Sequence, residues 1–346
     1  MKFLYLSRNN NRFGYHILRH LIRKKIKPAY LCLPSKKIIN SLLINYFIKL
    51  YYHLLNKYYN SEKLYFLNSE SILAENNNIE VRYFSRLNQS KLIDLIKKEN
   101  IKLIFIGGGW SYKLNKKILN LKNLKIVNLH PSYLPNFKGT SVTRWQVFEY
   151  PKFVGTSLHF LDKQFDSGRI IKRCKMLNVI SYSPQIMFEK MLPLAKKLTN
   201  FFFLNLKKKN ITGSKNLKSK IYGNWYRSKY YNKVNLSKRL EKIYHQIKAN
   251  TQEMNFYPSI KFRLNNYTFF IKDLEFIKNY KKRTSTKNSN YLEFFKKDKK
   301  GLYFTKKNSK DMIIIKRIQF SKFYKFRRSL DCKVIDKIKD GDKLYF

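Results

Sequence analysis

The chain has 346 residues, 44% of them hydrophobic, which is enough to bury a core and excludes a disordered basic tail. Its 73 Lys and Arg face only 21 Asp and Glu, a formal charge of +52, and a field of that sign draws polyanions such as RNA or an anionic membrane surface. Cys32, Cys174 and Cys332 lie far apart without CxxC or metal-ligand spacing, which excludes a disulfide framework and points to a reducing, cytosolic setting.

AT-rich codon usage would also enrich Lys, Asn, Ile, Phe and Tyr, but would not by itself deplete Asp and Glu so strongly. Two domains, or one domain with an appendage, fit the length. The N-terminal run MKFLYLSRNNNRFG lacks a small-residue cleavage site, so no secretory leader is expected.

KFLYLS (2–7) reads as a strand. FGYHILRHLIRKK (13–25) follows as a helix, with Ile17, Leu18, Leu21 and Ile22 on one face and basic residues towards its end. AYLCLP (29–34) is a second strand, stopped by Pro34. The apolar segment from Ile38 to Leu55 carries Asn40, Asn45, Lys49 and His53, and falls short of the ~20 clean apolar residues of a membrane span. It predicts a buried or surface-seeking helix over 38–59, with no stable membrane insertion. IEVRYF (79–84) is a third strand, NQSKLIDLIKKEN (88–100) a helix and IKLIFIGGG (101–109) a fourth strand. A short helix over 114–120 leads to a fifth strand, LKIVNLH (124–130).

This alternation predicts an α/β fold with a doubly wound, mostly parallel sheet, whose ligands collect at the carboxyl ends of the strands. VGTSLHFLD (154–162) and GRIIKRCKM (168–176) read as two further strands, followed by a long helix over 184–208. The Lys-, Asn- and Ser-rich stretch that follows reads as a linker. One helix (235–251) and several short strands then suggest a small C-terminal β-barrel-like domain. The expected division is a catalytic domain at 1–210, a linker at 211–234 and the barrel at 235–346.

VNLHPSYLPNFKG (127–139) is the chemically distinctive stretch. Asn128 and His130, two apart at a strand's end, project from one face. Asp166 lies in the turn between the next two strands and could fold back over them. An Asn that donates to an oxyanion, a His that handles protons and a carboxylate that orients the His form an acyl-transfer set. Neither a Cys nor a GxSxG motif is near, so direct attack by the substrate's own nucleophile is favoured. Spacing alone leaves open that His130 is a satisfied structural residue and that the prolines only stiffen a turn. His159 could equally be packing and stands outside the trio. IGGGW (106–110) lacks phosphate-loop spacing; its glycines would let a ligand or a neighbouring loop approach the backbone.

NLHPSYLPNFKG together with GTSLHFLDKQFDSGRII (155–171) resembles the signature of the 10-formyltetrahydrofolate-dependent formyltransferases. That family's pattern is Asn-x-His, Ser-Leu-Leu-Pro, a basic residue and Gly, then Gly-x-Thr-x-His and Asp-x-Gly-x-Ile. Tyr133 departs from its Ser-Leu-Leu-Pro run. The resemblance implies that Asn128, His130 and Asp166 are the catalytic trio. It also implies that Ser132, Tyr133, Leu134 and Pro135 line the folate site, and that 10-formyltetrahydrofolate is the formyl donor, with no metal. The C-terminal segment resembles the β-barrel domain of methionyl-tRNA formyltransferases, and tRNA would use the positive charge. Residues 33–75, however, lack the basic, Gly-containing loop those enzymes use. A nucleotide-linked amino sugar is the alternative acceptor, and a non-catalytic RNA-binding module a further one.

Overall fold

Leu4-Tyr5-Leu6 and Ile104-Phe105-Ile106 are aliphatic-aromatic-aliphatic runs, and a strand sends alternate side chains to opposite faces. The computed structural model describes residues 1–8, 11–34, 69–85, 89–110, 112–206, 211–251, 260–264, 267–280, 291–306, 309–319 and 342–345. The helix expected over 38–59 and Cys332 lie outside the described residues.

In chain order the elements begin β1 (Phe3–Ser7), α1 (Arg12–Arg23), β2 (Tyr30–Pro34), α2 (Glu70–Glu75), β3 (Glu80–Phe84) and α3 (Ser90–Lys98). They continue with β4 (Leu103–Gly108), α4 (Lys116–Leu119), β5 (Lys125–His130), β6 (Lys138–Gly139) and α5 (Val142–Glu149). Next come β7 (Phe153–Phe160), β8 (Ile170–Leu177), α6 (Pro184–Asn205), β9 (Ile221–Tyr222) and α7 (Leu240–Asn250). The last strands are β10 (Lys261–Leu264), β11 (Tyr267–Ile277), β12 (Leu292–Asp298), β13 (Gly301–Thr305), β14 (Met312–Gln319) and β15 (Lys343–Tyr345). The chain folds as two units, one of Met1–Pro135, Gly155–Cys174 and Leu192–Lys218, the other of Asn136–Val154, Lys175–Met191 and Ser219–Phe346.

The sheet has the order β3-β2-β1-β4-β5-β7-β8. Its β3-β2-β1-β4-β5 part is parallel, and β7 runs antiparallel to β5. The strand–helix alternation predicts this doubly wound arrangement, whose order reverses between β1 and β4. On one face Leu4, Leu6, Ile104 and Ile106 pack with Leu92 and Ile96 of α3 and Ile118 of α4. Tyr5 and Phe105 stack at 6.1 Å on the other face, where Phe105 meets Phe202 at 5.8 Å and Phe203 at 5.3 Å. Helix α1 is capped by Asn11, whose side chain accepts from the Gly14 N–H at 2.8 Å.

In the other unit, β10-β11-β14-β13-β12-β15 close into a barrel, which removes free strand edges. Phe262, Phe269, Phe304, Ile313 and Ile315 pack in its core with Leu240, Ile243, Tyr244 and Ile247 of α7. Met312 and Ile314 alternate with that set and join Tyr303 in a separate cluster. Residues 211–234 carry few apolar anchors, yet Trp225 among them is fully buried. Its ring meets that of Trp145 at 4.6 Å. Helix α5 was not expected from the sequence. Ser141 and Tyr150 flank it in left-handed conformations (φ 54° and 52°), and Trp145 anchors it through an Nε1–H bond to Gly223 O at 2.8 Å. Among the described residues, no helix is long and apolar enough to cross a membrane.

Phe105→Ala should lower stability by about 3–5 kcal/mol, because the sheet cannot collapse onto the space the ring leaves; denaturant titration checks this. In α7, buried His245 stacks on Tyr150 at 4.3 Å. Burial, helped by the Lys242 charge, pushes its pKa down from 6.5 to about 3. The unfolded chain therefore takes up a proton that the folded one refuses. Stability that is complete above pH 6.5 is lost as pH falls from there towards 3. His245→Phe should flatten that slope in pH-dependent denaturation.

Candidate active site

Strand β5 carries the first two residues to the sheet's carboxyl edge. Its antiparallel pairing with β7 places Asn128 opposite His159 and His130 opposite Ser157. The β7–β8 turn then brings back Asp166, which has a left-handed backbone (φ 49°). In the same turn, a Cβ on Gly168 would lie 1.9 Å from Phe160 O, so only glycine fits.

One carboxylate oxygen gathers the group. Asp166 Oδ1 accepts from Asn128 Nδ2 at 3.0 Å, and lies 3.4 Å from His159 Nε2 and 3.6 Å from His130 Nδ1. His130, His159 and Asp166 are all buried. His159 Nδ1 sits 2.7 Å from Phe160 O and so carries the hydrogen. That leaves Nε2 to accept from Asn128 Nδ2 at 3.0 Å. Both hydrogens of the Asn128 amide are thus engaged inside the site. A proton reaching either imidazole would pair with Asp166, so the cluster can hold a proton beside a bound molecule.

The structure therefore brings together Asn128, His130 and Asp166, the three residues singled out in the sequence. His159, which the sequence leaves outside the trio, belongs to the same cluster. Strand alternation could place it on a face, but only the β5–β7 register shows that it opposes Asn128.

Ser132, Tyr133, Leu134 and Pro135 follow directly, with Ser132 and Leu134 fully buried and a cis Leu134–Pro135 peptide. Ser157 holds the loop from beneath: its hydroxyl donates to Ser132 O at 2.7 Å and accepts from the Leu134 N–H at 2.9 Å. From β8, the Arg173 guanidinium donates to Leu134 O and lies over the Tyr133 ring at 4.4 Å. The aromatic residue that departs from the family pattern thus has a cationic partner, a pairing that long-range contact creates and local sequence does not signal.

Glycines at the end of β4 serve a different purpose. Gly109 (φ 73°) lies where a Cβ would come within 2.3 Å of Asn11 Nδ2, so it admits the start of α1. Buried Glu70 accepts there from the Asn11 N–H at 3.2 and 3.3 Å. Among the described residues, no group of three or more His, Cys, Asp or Glu could hold a metal ion.

Residues 66–198 match the protein family described as formyl transferase. The methionyl-tRNA formyltransferase of Wolbachia pipientis subsp. Culex pipiens is 29% identical over 206 residues, covering 59% of this chain and 65% of that protein. The methionyl-tRNA formyltransferase of Finegoldia magna is 23% identical over 251 residues, or 70% and 74% of the two chains. This chain thus spans just under two thirds of the first of these relatives. Among solved structures, the N-formyltransferase from Helicobacter canadensis in complex with folinic acid and dTDP-3-aminofucose superposes with a TM-score of 0.62 at 17% identity. It covers 91% of this chain and 99% of that one. A sugar 3N-formyl transferase, WlaRD, gives a TM-score of 0.62 at 16% identity, covering 91% and 97%. At these identities the likeness is one of fold.

Ser157→Ala would leave the Leu134 N–H and Ser132 O without their hydroxyl partner in a buried setting. A destabilisation of about 1–3 kcal/mol is expected, read by denaturant titration against wild type.

Proposed function

From the premise that residues 66–198 match the formyl transferase family, we propose that this chain transfers a formyl group from 10-formyltetrahydrofolate to a substrate amine, with methionyl-tRNA as acceptor. The observation that carries the formyl-transfer reading is the convergence of Asn128, His159 and His130 on Asp166 Oδ1, at 3.0, 3.4 and 3.6 Å. It lies at the sheet's carboxyl edge beside the Ser132–Pro135 loop. That loop would wall the folate site, in keeping with the folinic acid in the Helicobacter canadensis complex.

The acceptor's amine nitrogen attacks the formyl carbon and turns the carbonyl oxygen into an oxyanion. His130, protonated and paired with Asp166, presents its other ring N–H to that oxygen. Asn128 supplies a second donor by turning one N–H away from its present partners. Asp166 takes the proton that the amine nitrogen sheds, through an intervening water. As the carbon–N10 bond breaks, the folate nitrogen leaves with a proton and the oxyanion collapses to the formamide. One N–C bond forms, one breaks, and one proton moves from the amine to N10. Donors in place before the reaction need not reorganise when the charge appears.

Two features support tRNA as acceptor. The curated relatives reported above are methionyl-tRNA formyltransferases, and the charge of +52 suits a polyanion. A nucleotide-linked amino sugar is the second reading, favoured by likeness to sugar N-formyltransferases over 91% of the chain.

His130→Ala should abolish formyl transfer, and Asn128→Ala should lower kcat by about 10²–10³. Both are assayed with 10-formyltetrahydrofolate against charged initiator tRNA and a panel of nucleotide-linked amino sugars. Binding of tRNA should weaken steeply and linearly in log–log salt titrations. Formylation of an amino sugar without tRNA binding at low salt would replace the first acceptor by the second. RNA binding without any formyl transfer would leave a binding module.

A further inference from the structure

We propose that Asn216 is a positioning residue for Asp166: it grips the backbone of the 166–168 turn and keeps the carboxylate aimed at Asn128 and the two imidazoles. The inference rests on the formyl-transfer reading of that carboxylate. Asn216 comes from a stretch that reads in sequence as a polar connection, with nothing to mark it as part of a site.

Asn216 Nδ2 donates to Asp166 O at 2.8 Å and to Gly168 O at 3.0 Å. Both amide hydrogens therefore go to the turn that presents Asp166. Its Oδ1 is buried and accepts no hydrogen bond from the described residues, so the donors alone orient the amide. Asp166 occupies a left-handed conformation (φ 49°), which a side-chain-bearing residue keeps only where its surroundings enforce it.

The segment carrying Asn216 is itself tied to the strand leaving the turn. The Ile170 N–H donates to Ser214 O at 2.9 Å, and the Ser214 N–H returns a bond to Ile170 O at 2.8 Å. Arg169 Nε donates to Gly213 O at 2.6 Å. This bond fastens residues 213–216 alongside the turn, where the Asn216 amide can reach the carbonyls of Asp166 and Gly168. Freed of that grip, Asp166 Oδ1 would lose the common aim that brings three partners within 3.6 Å of one atom.

Asn216→Asp keeps the shape and removes both N–H donors; Asn216→Ala removes the amide. Measured below the unfolding temperature with 10-formyltetrahydrofolate and the accepted amine, both should lower kcat about 10–100-fold, as misplacement of a reacting group does. KM for each substrate should stay within about twofold. A purely structural role would shift the melting temperature and leave kcat intact. Asn216→Ser, able to donate one bond, should give an intermediate kcat, and it serves if another variant does not fold. Wild-type kcat in these variants, with Asp166→Asn inactive, overturns the positioning role and leaves the formyl-transfer reading standing. A wild-type chain that transfers no formyl group overturns both, and an active Asp166→Asn overturns the positioning role while formyl transfer stands.

Discussion

A single carboxylate oxygen, Oδ1 of Asp166, is the constraint around which the site is arranged. A buried carboxylate stripped of water is costly unless donors replace the lost hydration. Here the Asn128 amide donates to that oxygen at 3.0 Å, and two imidazoles lie within 3.6 Å of it. Asn128 and His130 lie on an earlier strand, far from Asp166 in sequence, and His159 precedes it on β7. The antiparallel addition of β7 to an otherwise parallel sheet brings them together, because it sets His159 opposite Asn128 and lets the next turn fold back over β5.

That demand explains much of the neighbouring chain. The turn needs glycine at 168, where any side chain would strike Phe160 O. It also needs a left-handed Asp166, which the Asn216 amide and the Arg169-anchored segment hold in place. The Ser132–Pro135 loop is held in the same manner, by Ser157 below and Arg173 across the Tyr133 ring. In each case a polar side chain on a strand or a tethered segment satisfies main-chain groups of a loop, and the rigidity of the sheet passes to residues outside it.

The sheet itself rests on a simpler rule. Aliphatic and aromatic residues alternate along β1 and β4, so one face packs against α3 and α4, while the other presents Phe105 to the phenylalanines of α6. The barrel uses the same period, with Ile313 and Ile315 in the core and Met312 and Ile314 in a separate cluster. Helix α5 has no comparable signal. Its apolar residues lack a clean stripe, and it is placed by Trp145, whose partners Gly223 and Trp225 are distant in sequence.

Period and punctuation in the sequence determined most strands and helices and the doubly wound order, though not α5, because they depend on residues close along the chain. They also marked Asn128 and His130, two apart at a strand's end, and the spaced motif marked Asp166. Tertiary structure alone decided that His159 joins them, that Arg173 pairs with Tyr133, and that Asn216 reaches the Asp166 turn. Alternation assigns a side chain to a face, but its partner depends on strand register and on which distant segment lies alongside. Those are settled only when the whole sheet has formed.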